Sequence, residues 1–239
     1  MTGETARLVE GIRERARRVT SLVAEYQARL TLGLRPVEVT GKLSFLGPDK
    51  CRAETRIGGE RITTVRRGRV VHRYVPKRGE VWKYSLDDLP QAEPINFGTA
   101  DLRDPFFAVD EAGLRSEGMV DLDSRPTHVF VGRVRGGARH GVLDTRKGFR
   151  IRYRPRGLAV QVELHVDAET GLLRSMRGLD ATGAELFSAR YTIREVNVPL
   201  DESLFALEES AAAWRVIDMA ETFLSSLNPD SADQPPSVN

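Results

Sequence analysis

Hydrophobic and polar residues alternate along much of the chain, most clearly at 59–86, GERITTVRRGRVVHRYVPKRGEVWKYSL. Ile62 and Thr64, then Val70, His72 and Tyr74, then Trp82, Tyr84 and Leu86 fall on a two-residue period. That period predicts three short strands with one dry and one wet face. Gly68 marks the first turn and Pro76 with Gly79 the second, where a positive or a fixed φ is wanted. The same grammar governs 21–33: Leu22, Ala24, Tyr26, Ala28, Leu30 and Leu32 share one side, and Glu25, Gln27, Arg29 and Thr31 the other. Val37, Val39, Leu43 and Phe45 continue it across Gly33 and Pro36, and a shorter, more polar strand follows at 50–56.

Helical spacing occurs near both ends. At 4–20, Leu8, Val9, Ile12, Ala16 and Val19 recur at three and four, which predicts an amphipathic helix lying along a sheet face. At 209–227, Trp214, Ile217, Ala220, Phe223, Leu224 and Leu227 predict a second one. Between the sheet halves, 87–118 loses the alternation. There Asp104 and Pro105 form an N-cap and N1 pair, so a short helix carrying Phe106, Phe107 and Val109 is expected inside a long irregular insertion. Strands resume at 119–135 and, beyond the GGARHG turn at 136–141, at 142–145, 149–154, 158–167, 172–179 and 186–198. Turns are expected at 168–171 and 180–183, for roughly ten strands in all. The polar, Pro-rich 228–239 reads as a disordered tail.

Composition narrows the functions. With 239 residues, 40% hydrophobic and 29% charged, the chain can bury a substantial core. No internal repeat or linker interrupts it, so one domain over 1–227 is expected. Thirty-six Lys and Arg are offset by 34 interspersed acids, for a net charge of +2, so no half of the chain is a basic block. Cys51 is the one cysteine, which excludes an internal disulfide. No apolar run reaches membrane-spanning length. MTGETARLVEGIRERARRV has no apolar core of a signal peptide, so the protein is cytoplasmic if Met1 is the native start, or exported by a signal that has been removed.

Candidate chemistry is sparse. His72, His128, His140 and His165 have no His, Cys or Glu partner at a metal-ligand spacing. His165 and Asp167 share a strand face as a surface pair, and Cys51 reads as a half-buried strand residue. No nucleophile elbow, phosphate loop or dinucleotide fingerprint is present, so no cofactor is implied. RKGFRIRYRPRG at 146–157 places Arg150, Arg152, Arg154 and Arg156 opposite Phe149, Ile151 and Tyr153. That interleaving could bind single-stranded nucleic acid or anionic lipid, but near-neutral overall charge favours a solvated strand face and no nucleic-acid partner. The apolar stripes exceed what two helices and one Phe-bearing insertion evidently cover; they fill an ordinary core or leave a cavity.

Taken together, these segments resemble the periplasmic lipoprotein carriers of the LolA/LolB-like family, a fold also used by lipid-sensing regulators of envelope stress. The helix and long strand at 4–32 match the family's start, and Gly41-Lys42-Leu43 its Gly-containing second strand. Gly68, His72-x-Tyr74, Pro76 and Val81 match its turn, aromatic strand, Pro-led turn and next strand. Asp180-Ala181-Thr182-Gly183, Asn197 and Leu204-Phe205-Ala206-Leu207 match its final hairpin and close. The similarity covers residues 4–208. His72 stands where an aromatic is usual, and the helix expected at 209–227 lies beyond the family's ordinary end.

The resemblance implies an α+β fold: a strongly curved antiparallel sheet forming an incomplete half β-barrel, with helices covering the concave face. It implies a non-enzymatic periplasmic carrier of lipoprotein or lipid acyl chains, with membrane-associated donor or acceptor proteins as partners. Leu30, Leu32, Leu43, Phe45, Tyr74 and Trp82 would line the cavity, and Phe106 and Phe107 would form its lid. Two other readings remain: a sensor or protein-interaction module of the same fold whose own helices fill the cavity, and a lipid or glycan hydrolase. For the hydrolase, no nucleophile–base or carboxylate pair stands out.

Overall fold

The alternating segments form strands because their β-branched and aromatic side chains fit a pleated, half-buried surface. In the computed structural model the described residues are 2–32, 35–85, 101–107, 109–134, 141–143, 151–153, 160–207 and 213–218. Among the described residues one α-helix, α1 (Gly3–Arg17), is capped by Thr2, whose hydroxyl accepts from the Thr5 amide. It precedes β1 (Ser21–Leu32), β2 (Arg35–Leu46), β3 (Lys50–Ile57), β4 (Glu60–Arg67), β5 (Val70–Val75) and β6 (Glu80–Ser85). The chain continues with β7 (Val109–Leu122), β8 (Arg125–Val134), β9 (Gly141–Leu143), β10 (Ile151–Tyr153), β11 (Gln161–Asp167), β12 (Leu173–Leu179), β13 (Glu185–Val196) and β14 (Arg215–Asp218).

Twelve strands make one open sheet in the order β14-β6-β5-β4-β3-β2-β1-β13-β12-β11-β8-β7, and β9 pairs with β10 apart from it. Two meanders run outward from the β1–β13 pair, where Tyr26 faces Tyr191 in register. β6 therefore sits near one edge and β7 at the other, so the chain between them must traverse the sheet. The described part of that connection, 101–107, lies against the inner face, as does α1. The sheet is antiparallel throughout except for β14 alongside β6.

Three expectations are corrected. The 209–227 helix is not formed at 215–218, which is β14. Arg-Val-Ile suits a strand, and the β6 edge supplies ladder partners that a local helix would forgo. The short helix at Phe106–Val109 is instead a pair of turns, in which the Phe107 amide donates to the Asp104 carbonyl and Val109 to Phe106. The chain then enters β7 at once, because Val109 pairs with Val134, so the sheet resumes ten residues earlier than 119. Finally, Val70, His72 and Tyr74 face away from Trp82 and Tyr84. The two-residue Gly68–Arg69 turn pairs Arg67 with Val70 and so sets the phase of β5. Residues 86–100, 135–140, 144–150, 154–159 and 219–239 lie outside the described residues, and with them Leu86, His140, Arg150, Arg154, Arg156 and the 228–239 tail.

Candidate functional site

The inner face is a wall, mainly apolar along β1–β3, which Thr64 and Arg73 interrupt before Trp82. Leu22 lies opposite Phe45, Ala24 opposite Leu43, and Leu30 opposite Val37. The row of Leu43 runs on through Ala53, Thr64 and Arg73 to Trp82. Register thus unites Leu30, Leu43, Phe45 and Trp82 on one face, with Leu43 and Phe45 fully buried. Leu32 closes β1 opposite Arg35. Tyr74 does not belong to this face. It pairs with Thr63, which pairs with Glu54, which pairs with Lys42, a row on the outer face. There Tyr74 packs with Val65, Val81 and Trp214.

Two elements close the wall. α1 presents Val9, Ile12 and Ala16, all essentially unexposed. It approaches the β11–β12 connection so closely that a Cβ on Gly171 would meet the Ile12 carbonyl oxygen at 2.4 Å. Gly171 also has φ +73°, so both space and backbone require glycine here. The second element is 101–107. Leu102 and Phe106 are fully buried, Phe107 is half-buried, and the Phe106 ring stands edge-on to Phe130 at 5.1 Å. Arg13 of α1 lies over Phe106 at 5.7 Å while pairing with Glu111 at 2.5 Å. Of the two expected lid residues, Phe106 is the deep one.

The sequence reading missed Leu102 and Arg103. The Leu102 carbonyl accepts from the Leu173 amide at 2.9 Å, tying residues 101–107 to β12. The Arg103 guanidinium lies over Phe45 at 5.3 Å, is held by both oxygens of Asp101 at 2.8 Å, and donates to the Gly47 carbonyl at 2.5 Å. The available signal was a single leucine between charged residues in DLRD, an apolar anchor in a polar loop.

Polar groups on this face include Arg73, which donates to the Thr64 hydroxyl at 3.4 Å. Tyr26 lies across Gly41, and its hydroxyl shares a 2.7 Å hydrogen bond with Thr55. Burial pushes up the phenols of Tyr26 and, much further, of Tyr191, whose hydroxyl has no partner among the described residues. Burial likewise pushes the Cys51 thiol up to about 12, so it is no nucleophile near neutral pH. Among the described residues no three His, Cys, Asp and Glu side chains converge on a metal-ligand geometry.

The outer face holds a groove of about 340 Å³ lined by Glu25, Gln27, Thr40, Lys42, Glu54 and Arg61 among others. Its carboxylates are engaged: Glu25 with Arg194 at 2.7 Å, and Glu54 with Arg52 at 3.2 Å and Arg61 at 2.9 Å. His165 pairs with Glu163 at 2.8 Å, while Asp167 caps its own turn through the Thr170 amide at 2.8 Å.

No family model matches the chain, and no curated protein matches it. Its fold is shared with a conserved protein of Thermus thermophilus, at 18% identity and a TM-score of 0.59, over 90% of this chain and 99% of that one. Weaker likenesses are to MucB, at 12% identity and a TM-score of 0.43 over 87% of this chain and 64% of that one. Another is to a LolA superfamily protein of Nitrosomonas europaea, at 8% identity and 0.38 over 83% and 97%. The open, mostly antiparallel sheet, with a helix and residues 101–107 against its inner face, agrees with the α+β fold that the resemblance implied.

Proposed function

We propose that this protein is a non-enzymatic binder of acyl chains, a carrier of lipoprotein or other lipid tails in the periplasm, and that residues 101–107 are the plug a ligand displaces. The observation that carries this reading is the nature of the cover. Part of the apolar wall is closed by a turn-rich segment that inserts Leu102 and Phe106. Its described ties to other elements include one backbone bond, from Leu173 to Leu102, and otherwise side-chain contacts: Arg103 on Gly47 and Phe45, and Phe106 against Phe130 and under Arg13. Magnitudes favour exchange. Returning two such side chains to water costs about 3–6 kcal/mol, whereas leaving a chain of about 16 carbons in water costs on the order of 13 kcal/mol. The plug would protect the wall when empty and yield when a lipid arrives. Leu30, Leu43, Phe45 and Trp82 would then meet the chain, with Leu32 at the rim. Membrane-associated donor and acceptor proteins would load and unload it.

A second reading is an interaction module whose trough is permanently filled by its own side chains; the complete burial of Phe106 favours it. Titration with a fluorescent 16-carbon fatty acid separates the two. A carrier takes up the probe, and Phe106→Ala, which removes the plug's largest side chain, binds it about ten-fold tighter. A self-filled module shows no uptake by either form, and mass spectrometry of gently purified protein then finds no lipid.

A further inference from the structure

The β6 edge carries a built peptide site already filled by the chain itself. Residues 213–218 run alongside β6 in parallel, pairing Arg215 with Glu80, Val216 with Val81, Ile217 with Trp82 and Asp218 with Lys83. The Arg215 amide donates to the Gly79 carbonyl at 3.0 Å. Trp214 enters a seat on the outer face formed by Val65, Tyr74 and Val81, all nearly unexposed, and meets the Tyr74 ring edge-on at 6.4 Å. The neighbouring Arg215 guanidinium hydrogen-bonds Glu80, a carboxylate whose side chain is only 10% exposed. Trp82 donates to the same carboxylate through its indole N–H at 2.9 Å, fixing its orientation from inside the sheet. An aromatic seat beside an oriented, buried anion reads an aromatic residue followed by arginine.

The occupant is held less firmly than the site is built. β14 has four residues, the Arg215 side chain is 72% exposed, and Val216 is 62% exposed. It is also the parallel partner in a sheet whose other described ladders are antiparallel, and parallel pairing is slightly the weaker per residue. We propose that this edge is a docking site for an extended peptide of a partner protein, aromatic then arginine then aliphatic, and that residues 213–218 hold it in cis as a replaceable strand. The aromatic seat is on the outer face, while Glu80 and Arg215 share the face of Trp82 at the sheet edge.

The test is fluorescence anisotropy with a labelled peptide of residues 213–218, Ala-Trp-Arg-Val-Ile-Asp, titrated into the full chain. The Trp214→Ala/Arg215→Glu variant, whose own strand is weakened, should bind about ten-fold tighter than the wild type. Adding Glu80→Gln to that variant, or replacing the peptide's arginine by glutamate, should cost about ten-fold or more. Trp214→Ala alone serves where circular dichroism shows the double variant unfolded, with the same direction expected. Equal affinity for wild-type and weakened chains, or no binding to either variant, overturns the proposal. A wild-type dimer that the double variant abolishes would assign the edge to a second copy and overturn the partner-peptide assignment.

Discussion

Glu80 concentrates the polar energetics of the sheet edge in one carboxylate. Burial works to raise its pKa, but the hydrogen bonds from Trp82 and Arg215 outweigh it and hold the group below the ordinary carboxylate range. A carboxylate with a lowered folded pKa adds stability that is present above the unfolded value of about 4.3 and is lost as pH falls through the folded one. Glu80→Gln should therefore cost about 1.5–3 kcal/mol near neutral pH, the range for a hydrogen bond to a charged group. Chemical denaturation at several pH values should find that deficit shrinking below about pH 4. Cys51 makes the opposite case. Buried, with its thiol pushed up to about 12, it should resist an aromatic disulfide reagent in the native protein and react at once in denaturant. Prompt native reactivity would mean that the β3 wall opens readily. Neither environment was legible beforehand: Trp82 is two residues from Glu80, but Arg215 comes from the far end of the chain, and the burial of Cys51 comes from the assembled sheet.

The strands were legible because each carries its own record of the sheet, a two-residue period ended by a turn residue. β1 is an example: its alternate residues Leu22, Ala24, Tyr26 and Ala28 are buried, with Glu25 and Gln27 exposed between them. α1 was legible for the same reason at a different period, with Val9, Ile12 and Ala16 inward. β5 shows where this runs out. VVHRYV offers valines to both faces, so pattern alone cannot choose, and the length of the Gly68 turn does. β14 was lost because Trp214 and Ile217 are spaced as in a helix, whereas their actual partners belong to β4–β6. The docking of α1 was hidden too, since nothing near Ile12 in sequence points to Gly171. Gly171→Ala forces a Cβ against the helix backbone at a positive φ, and should cost more than about 1 kcal/mol. Thermal melts should register the loss, with hydrogen exchange in α1 rising before that of β1. An unshifted melt would mean that the helix is docked by its apolar face alone.

At the scale of the whole molecule, topology determines what the sequence pattern could only suggest. With β6 and β7 at opposite sides of an open sheet, the connection between them has to cross the wall, and 101–107 is where it lodges. Phe106 and Phe107 signalled that crossing; Leu102, Arg103 and the backbone tether to β12 did not, because they gain meaning only once Leu173 and Phe45 are brought beside them. The same crossing makes the plug part of the proposed mechanism, since a turn-rich segment outside the sheet ladders can leave without unravelling a strand. The most direct measurement is hydrogen exchange at the Leu173 amide, which donates to the Leu102 carbonyl. With saturating hexadecanoic acid its exchange should speed up about ten-fold or more, while the Tyr26–Gly41 ladder holds. Unchanged exchange at Leu173, whether or not the acid binds, would contradict a displaceable plug.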